Sequence, residues 1–222
     1  FNMGKMTELG LKLSAEDIYS LNKACLKDAI VLIPGCTGEI VSSQGLLLTN
    51  HHCGYGSIQS YSTVEHDYLK DGYWAMTKEE ELPNPGMFAN FLIRIDDVTE
   101  QILADVKPDM SDAGRSSAIN EARLAIEKKG AEATGYRATV SSFYGGNYFY
   151  LLVYERYTDV RLVGAPPSSI GKFGSDTDNW VWPRHTGDFS VFRVYSGPDG
   201  KPAPYSKENI PLNPKHYLPV SV

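Results

Sequence analysis

The sequence predicts a mainly β domain with helical excursions, and three observations carry that expectation. Short runs of aliphatic and β-branched residues recur along the chain, each bounded by turn residues. The chain holds 20 Gly and 13 Pro in 222 residues, about 15% against a usual ~12%, which favours turn-rich strands. Apolar residues at helical spacing of three and four recur in two segments, 14–27 and 112–129. The length suits one large domain or two small ones, with enough residues to bury a sizeable core. No internal repeat or low-complexity tract interrupts it.

Taken in order, Ser14 with Asp17 three residues on resembles a helix start, and Ile18, Leu21 and Cys25 follow at helical spacing. A helix is therefore expected over 14–27. Three β-rich runs come next, Ala29–Ile33, Glu39–Ser42 and Leu46–Thr49, separated by Pro34-Gly35 and Ser43-Gln44-Gly45. They predict a tight antiparallel meander. Residues 53–85 cluster Tyr55, Tyr61, Tyr68, Tyr73 and Trp74 without a period, so loops and one short helix are expected. Phe91–Val98 reads as a strand. In 112–129, Ile119, Ala122 and Ile126 line one face and charges the other, which predicts an exposed amphipathic helix. Tyr148–Tyr154, Val160–Val163 and Phe189–Tyr195 read as strands, the last followed by the turn Ser196-Gly197-Pro198-Asp199-Gly200. The tail carries Pro202, Pro204, Pro211, Pro214 and Pro219, so it either wraps a surface or leads into a further part.

Composition narrows the function classes. A net charge of −6 argues against a nucleic-acid partner. The longest strongly apolar run, Ala29–Ile33, is far too short for a transmembrane helix. The chain opens at Phe1 with no basic and apolar leader, so a secretory signal is expected to have been removed or to lie outside these residues. Three cysteines, Cys25, Cys36 and Cys53, form no Cys-x-x-Cys pair, which argues against zinc.

Two runs concentrate chemistry. In residues 36–53, a hairpin delivers His51 and His52 to the end of a strand, with Cys36 before it and Cys53 after it. The plain alternative is a pair of partly buried histidines with local hydrogen bonds. The second run, 171–189, holds Gly171, Gly174, Asp176, Asp178, Asn179-Trp180, Trp182, His185 and Asp188. On local residues alone, Asp176, Asp178, Asp188 and Asp199 stand unranked as partners for a histidine. Asp188 could equally be a turn residue before a strand, and Trp180 and Trp182 could be core packing. Arg184 and His185 read as structural, with Arg184 expected to pair with a nearby aspartate.

Together with Asn50-His51-His52-Cys53-Gly54-Tyr55-Gly56, the second run resembles the bacterial dipeptidyl-peptidase 7 and 11 family, chymotrypsin-fold serine exopeptidases. The similarity runs from about Leu9 to the end and is least characteristic over 112–137. The resemblance implies a chymotrypsin-like antiparallel β-barrel, the first part of a split two-barrel catalytic domain over 1–222. It implies His52 as general base, Asp188 as the aspartate that orients it, and a Cys36–Cys53 disulfide pinning the histidine loop. Asn179 and Trp180 would receive the free α-amino group of an oligopeptide. No metal or organic cofactor is implied. A periplasmic or cell-surface location in a Gram-negative bacterium and a full-length homodimer are implied as well, and a disulfide suits an oxidising compartment. Cys25 would then be unpaired.

A serine peptidase needs a nucleophile in a turn such as Gly-x-Ser-Gly. The one Ser-Gly pair, Ser196-Gly197, follows Tyr195 and reads as a hairpin turn. The resemblance places the serine downstream of a helical insertion, so these residues alone are expected to be inactive. Two alternatives stand beside this reading: a non-catalytic peptide-binding or assembly module that keeps the fold, and a metal site from His51, His52, Cys53 and His185. The disulfide disfavours the second by consuming Cys53.

Overall fold

The computed structural model describes residues 2–183 and 185–220, the side chain of Asp176 excepted. The expected pairing of Arg184 lies outside the described residues. Among the described residues, eleven strands run in chain order: β1 Ile30–Ile33, β2 Cys36–Ile40, β3 Leu46–Thr49, β4 Tyr73–Trp74, β5 Leu82–Pro83, β6 Ala89–Asp97, β7 Arg137–Phe143, β8 Tyr148–Tyr157, β9 Asp159–Ala165, β10 Ser190–Ser196 and β11 Ile210–Pro211. The chain divides into two compact units, Phe1–Phe91 with Tyr157–Val222, and Leu92–Arg156.

In the first unit, the strands pair antiparallel in the order β4-β9-β10-β3-β2-β1-β6. Residues 82–91 bring the row back on itself. Leu82 and Pro83 pair with Leu162 and Arg161 of β9, and Asn90 and Phe91 pair with Leu32 and Val31 of β1. The result is a small barrel. Its interior follows from strand alternation: Val31, Ile33, Ile40, Leu47, Val160, Leu162, Phe192 and Val194 all point inward and form one core. The β1–β2 turn uses Gly35 at φ +73, a conformation that glycine adopts without steric cost. The tail wraps this barrel, since Leu212 is buried and bonds Val194, and the Leu218 N–H donates to the Ile40 carbonyl. Arg193 and Tyr195 of β10 both donate to the buried carboxylate of Glu81, at 2.8 Å each. These charge-assisted bonds fix β10 against Glu81, the residue just before β5.

The second unit joins the β7–β8 hairpin, in register from Arg137↔Tyr154 to Phe143↔Tyr148, to a helix over Asp112–Thr134. Ile119, Ala122 and Ile126 pack on Val98, Ile102, Val140, Leu151 and Val153. Ser111 caps the helix start by accepting from the Gly114 N–H, and Gly135 ends it in the left-handed conformation.

Four local expectations need correction. The helix expected over 14–27 is only Ala15–Ile18, followed by a 3-10 turn at Leu26–Asp28. Ser20 explains the break, because its hydroxyl accepts from the Asn22 and Lys23 N–H groups and offers the backbone an alternative to helix. The helix expected over 112–129 continues to Thr134, where Gly135 stops it. The strand expected at Glu39–Ser42 is Cys36–Ile40, since Ser42 belongs to the turn and accepts from the Gln44 and Leu46 N–H groups. Residues 53–85 hold most of one helix, His51–Tyr61, and all of another, Tyr68–Asp71.

Candidate active site

Strands β3 and β10 pair antiparallel with Thr49 opposite Ser190. The residues just past Thr49 and just before Ser190 therefore emerge at the same edge of the barrel, although they are 136 or more apart in sequence. Asn50 adopts an extended conformation there, and the helix His51–Tyr61 begins immediately after it. His52 is thus on the first turn of a helix rather than at the end of a strand.

Asp188 meets that first turn. His52 Nδ1 lies 2.8 Å from Asp188 Oδ2, and the His52 backbone N–H donates to Oδ1 at 3.1 Å. The same carboxylate accepts from Asn50 Nδ2 at 3.2 Å and from Asn179 Nδ2 at 3.1 Å, both on Oδ2. The Asp188 side chain is only 7% exposed, whereas that of His52 is 56% exposed. Burial pushes the Asp188 carboxyl up, but the His52 backbone and side-chain bonds outweigh it and hold the group below its ordinary value. Asp188 is therefore an anion that fixes one nitrogen of His52, and the other side of the ring is left to solvent.

Three close contacts hold this arrangement. Cys36 and Cys53 are joined by a disulfide, tying the helix start to the head of β2. The Ser190 hydroxyl donates to the Asn50 carbonyl at 2.8 Å, and a Cβ at Gly54 would come within 2.6 Å of that hydroxyl oxygen. His51 is 1% exposed and packs on Gly171. Burial pushes its imidazole below the ordinary value, against opposing effects of Asp188 and the Pro166 carbonyl. Its Nε2 has no hydrogen-bond partner among the described residues.

A cleft of about 460 Å³ opens on the exposed ring of His52, lined by Asn50, His52, Asn179, Trp180, Thr186 and Asp188. Asn179 ends the short helix Ser175–Asn179, and its amide nitrogen is committed to Asp188. That leaves its carbonyl oxygen as the acceptor available to a ligand. Trp180 and Trp182 are 78% and 84% exposed, so neither is core packing. Of the competing carboxylates, Asp199 accepts from the Lys201 N–H in its turn, and Asp178 lies over Gly174.

The ligating atoms of Cys36, His52 and Cys53 lie within 4.8 Å of one another, the one such grouping of three among the described residues. Both sulfurs are bonded to each other, so neither offers a thiolate, and the donor set does not fit a metal. His51 and His185 are not part of that grouping. Cys25 is a buried free thiol whose sulfur accepts from the Ser20 N–H. Asn50 and Gly54 stand in the histidine motif without a role read from sequence, and Ser190 was not singled out; the strand register reveals what all three do.

The chain is 52% identical over 222 residues to the Asp/Glu-specific dipeptidyl-peptidase of Flavobacterium psychrophilum, and 51% identical over 222 to dipeptidyl-peptidase 7 of Capnocytophaga gingivalis. Each match covers all of this chain and 31% of the relative, so the chain spans about a third of the length of the curated relatives it matches. Among solved structures, it superposes on Porphyromonas endodontalis DPP11 in complex with the dipeptide Arg-Asp with a TM-score of 0.85 and 50% identity. That match covers 97% of this chain and 32% of the other. The mainly antiparallel β architecture with helices expected from the sequence is thus the observed one. A family model described as Peptidase S46 matches residues 1–222, and the chain belongs to that family.

Proposed function

We propose that residues 1–222 form the base-bearing part of the catalytic domain of a serine dipeptidyl peptidase, which releases dipeptides from the free N-termini of oligopeptides. The observation that carries this reading is the 2.8 Å contact of Asp188 Oδ2 with His52 Nδ1, with the rest of an exposed ring turned to a cleft. His52 is the general base and Asp188 holds its tautomer and steadies the imidazolium. The nucleophilic serine belongs to the second barrel of the full-length protein, past a helical insertion. Its hydroxyl attacks the second peptide bond of the substrate while His52 Nε2 takes the proton, which then passes to the leaving amine.

Asn179 and Trp180 receive the substrate's α-amino group, supported by the free carbonyl of Asn179 and the indole beside it. With the Trp180 indole walling off the space beyond that amine, the enzyme releases dipeptides. The full-length protein is a homodimer of the periplasm or cell surface in a Gram-negative bacterium. Relatives named Asp/Glu-specific dipeptidyl-peptidase and dipeptidyl-peptidase 7 match at 50–52% identity, so identity over these residues does not choose between their preferences.

The test is turnover of dipeptidyl substrates with free and acetylated amino ends by the full-length protein. The reading requires cleavage of the free-amino substrates and loss of turnover in His52→Ala. Activity that survives His52→Ala overturns it, and a wild type that binds peptides without cleaving them identifies a non-catalytic module. Residues 1–222 alone are expected to give no turnover, and a rate abolished by serine reagents would contradict that.

A further inference from the structure

Asp188 accepts more hydrogen bonds than orienting one imidazole requires. Its Oδ2 is shared by His52 Nδ1 at 2.8 Å, Asn179 Nδ2 at 3.1 Å and Asn50 Nδ2 at 3.2 Å, while Oδ1 takes the His52 N–H. Asn50 has a further contact, from the same Nδ2 to the Asp188 backbone carbonyl at 3.2 Å. The two N–H bonds of one carboxamide thus suffice for both acceptors. The usual role of Asn at this position is different: an N-cap carboxamide normally turns its oxygen onto the first-turn N–H groups. Asn50 makes no such side-chain cap, and Asp188 occupies one of those N–H groups instead.

We propose that Asn50 is a positioning residue of the His52–Asp188 pair, one that clamps Asp188 by its carboxylate and its carbonyl together and draws off part of the charge that holds the imidazolium. The proposal rests on the catalytic reading of His52 and Asp188. The physical argument has two parts. Bridging Oδ2 and the main-chain oxygen fixes the Asp188 side-chain torsion, so the carboxylate meets the imidazole in one orientation. An amide donor on Oδ2 also competes with the imidazole N–H for the same lone pairs, which moderates how firmly Asp188 stabilises the protonated ring. Among the described residues, His51 sits beside this pair and Lys172 acts on His51, and Asn50→Ser changes neither of them. Asn50 is also a cleaner target than Asn179, which has the proposed amine-binding role.

The experiment uses the full-length enzyme and the variants Asn50→Ser and Asn50→Ala. Serine keeps the N-cap preference but is too short to reach Asp188, so it separates capping from clamping. In Asn50→Ser, kcat should fall roughly 10-fold while KM changes by less than about twofold, as for loss of one charge-assisted bond. The acidic limb of the kcat/KM profile should move to higher pH by roughly half a unit or more, because a less shared Asp188 favours the protonated ring. Asn50→Ala should show the same displaced limb. The proposal is overturned if Asn50→Ser keeps the wild-type rate and limb, or if activity falls with the limb unmoved. Turnover that survives His52→Ala would instead remove the catalytic reading beneath it.

Discussion

The buried ring of His51 occupies the space that a side chain at Gly171 would need: a Cβ there would lie 2.3 Å from His51 Cδ2 and 2.4 Å from Cγ. Glycine at 171 is thus a packing requirement of the helix that carries His52. Gly171→Ala is expected to destabilise by about 1–3 kcal/mol, the usual cost of overpacking a filled site. It should also reduce kcat of the full-length enzyme by displacing His52 from Asp188. Urea unfolding and steady-state rates check both, and an alanine variant with unchanged stability would refute the packing argument.

Acid sensitivity should begin with His51. Burial lowers its imidazole below 6.5 in the folded protein, so on acidification the unfolded chain takes up the proton first. Its contribution is whole above 6.5 and is lost as pH falls from there toward the lower folded value. Asp188 is also depressed, but its contribution is whole above 3.8 and goes only as pH falls through its lower folded value. The window just below 6.5 therefore belongs to His51 rather than to Asp188. Urea midpoints at roughly pH 7.5 and 5.5 should fall less for His51→Asn than for wild type. Equal falls would exclude His51 as the source.

Asp188→Asn leaves a side chain of the same shape but can present an N–H where His52 needs an acceptor. The full-length variant should lose about 10⁴ in kcat, as when an orienting aspartate is neutralised and the imidazole held in the wrong tautomer. KM should change little. A loss under tenfold would mean that Asp188 serves the fold and not the base.

The Cys36–Cys53 bridge closes a stretch with a sequence separation of 17. Replacing both cysteines with alanine should cost about 3 kcal/mol on the chain-entropy view. Differential scanning calorimetry of oxidised protein, dithiol-treated protein and the double variant should give two similarly lowered melting points against one higher. A double variant as stable as the oxidised protein would show that the bridge adds nothing to the fold.

The sequence made the barrel strands legible wherever an aliphatic run met a turn glycine, as at Leu46–Thr49 after Gly45. It hid the helix His51–Tyr61, whose buried residues are His51, Gly54 and Ile58, because two of these carry no apolar signal. It missed β7 for a similar reason: Val140 is its one fully buried side chain, and pairing with β8 rather than pattern makes it a strand. At the site, the histidine and the cysteines stood out by proximity in sequence. Four aspartates could not be ranked, because the choice depends on which strand end lies beside Thr49. Asn50 stands in the histidine motif, but its role stayed hidden because its partner is 138 positions away.

The adjacency of Thr49 and Ser190 has a corollary. Since the histidine and its aspartate hang from neighbouring strand ends, their spacing is indifferent to how much chain loops out between them. The geometry of the pair therefore constrains the alignment of β3 and β10 and not the length of the Leu92–Arg156 excursion. A one-residue slip of that alignment would send alternate side chains to the opposite wall and separate the two groups outright.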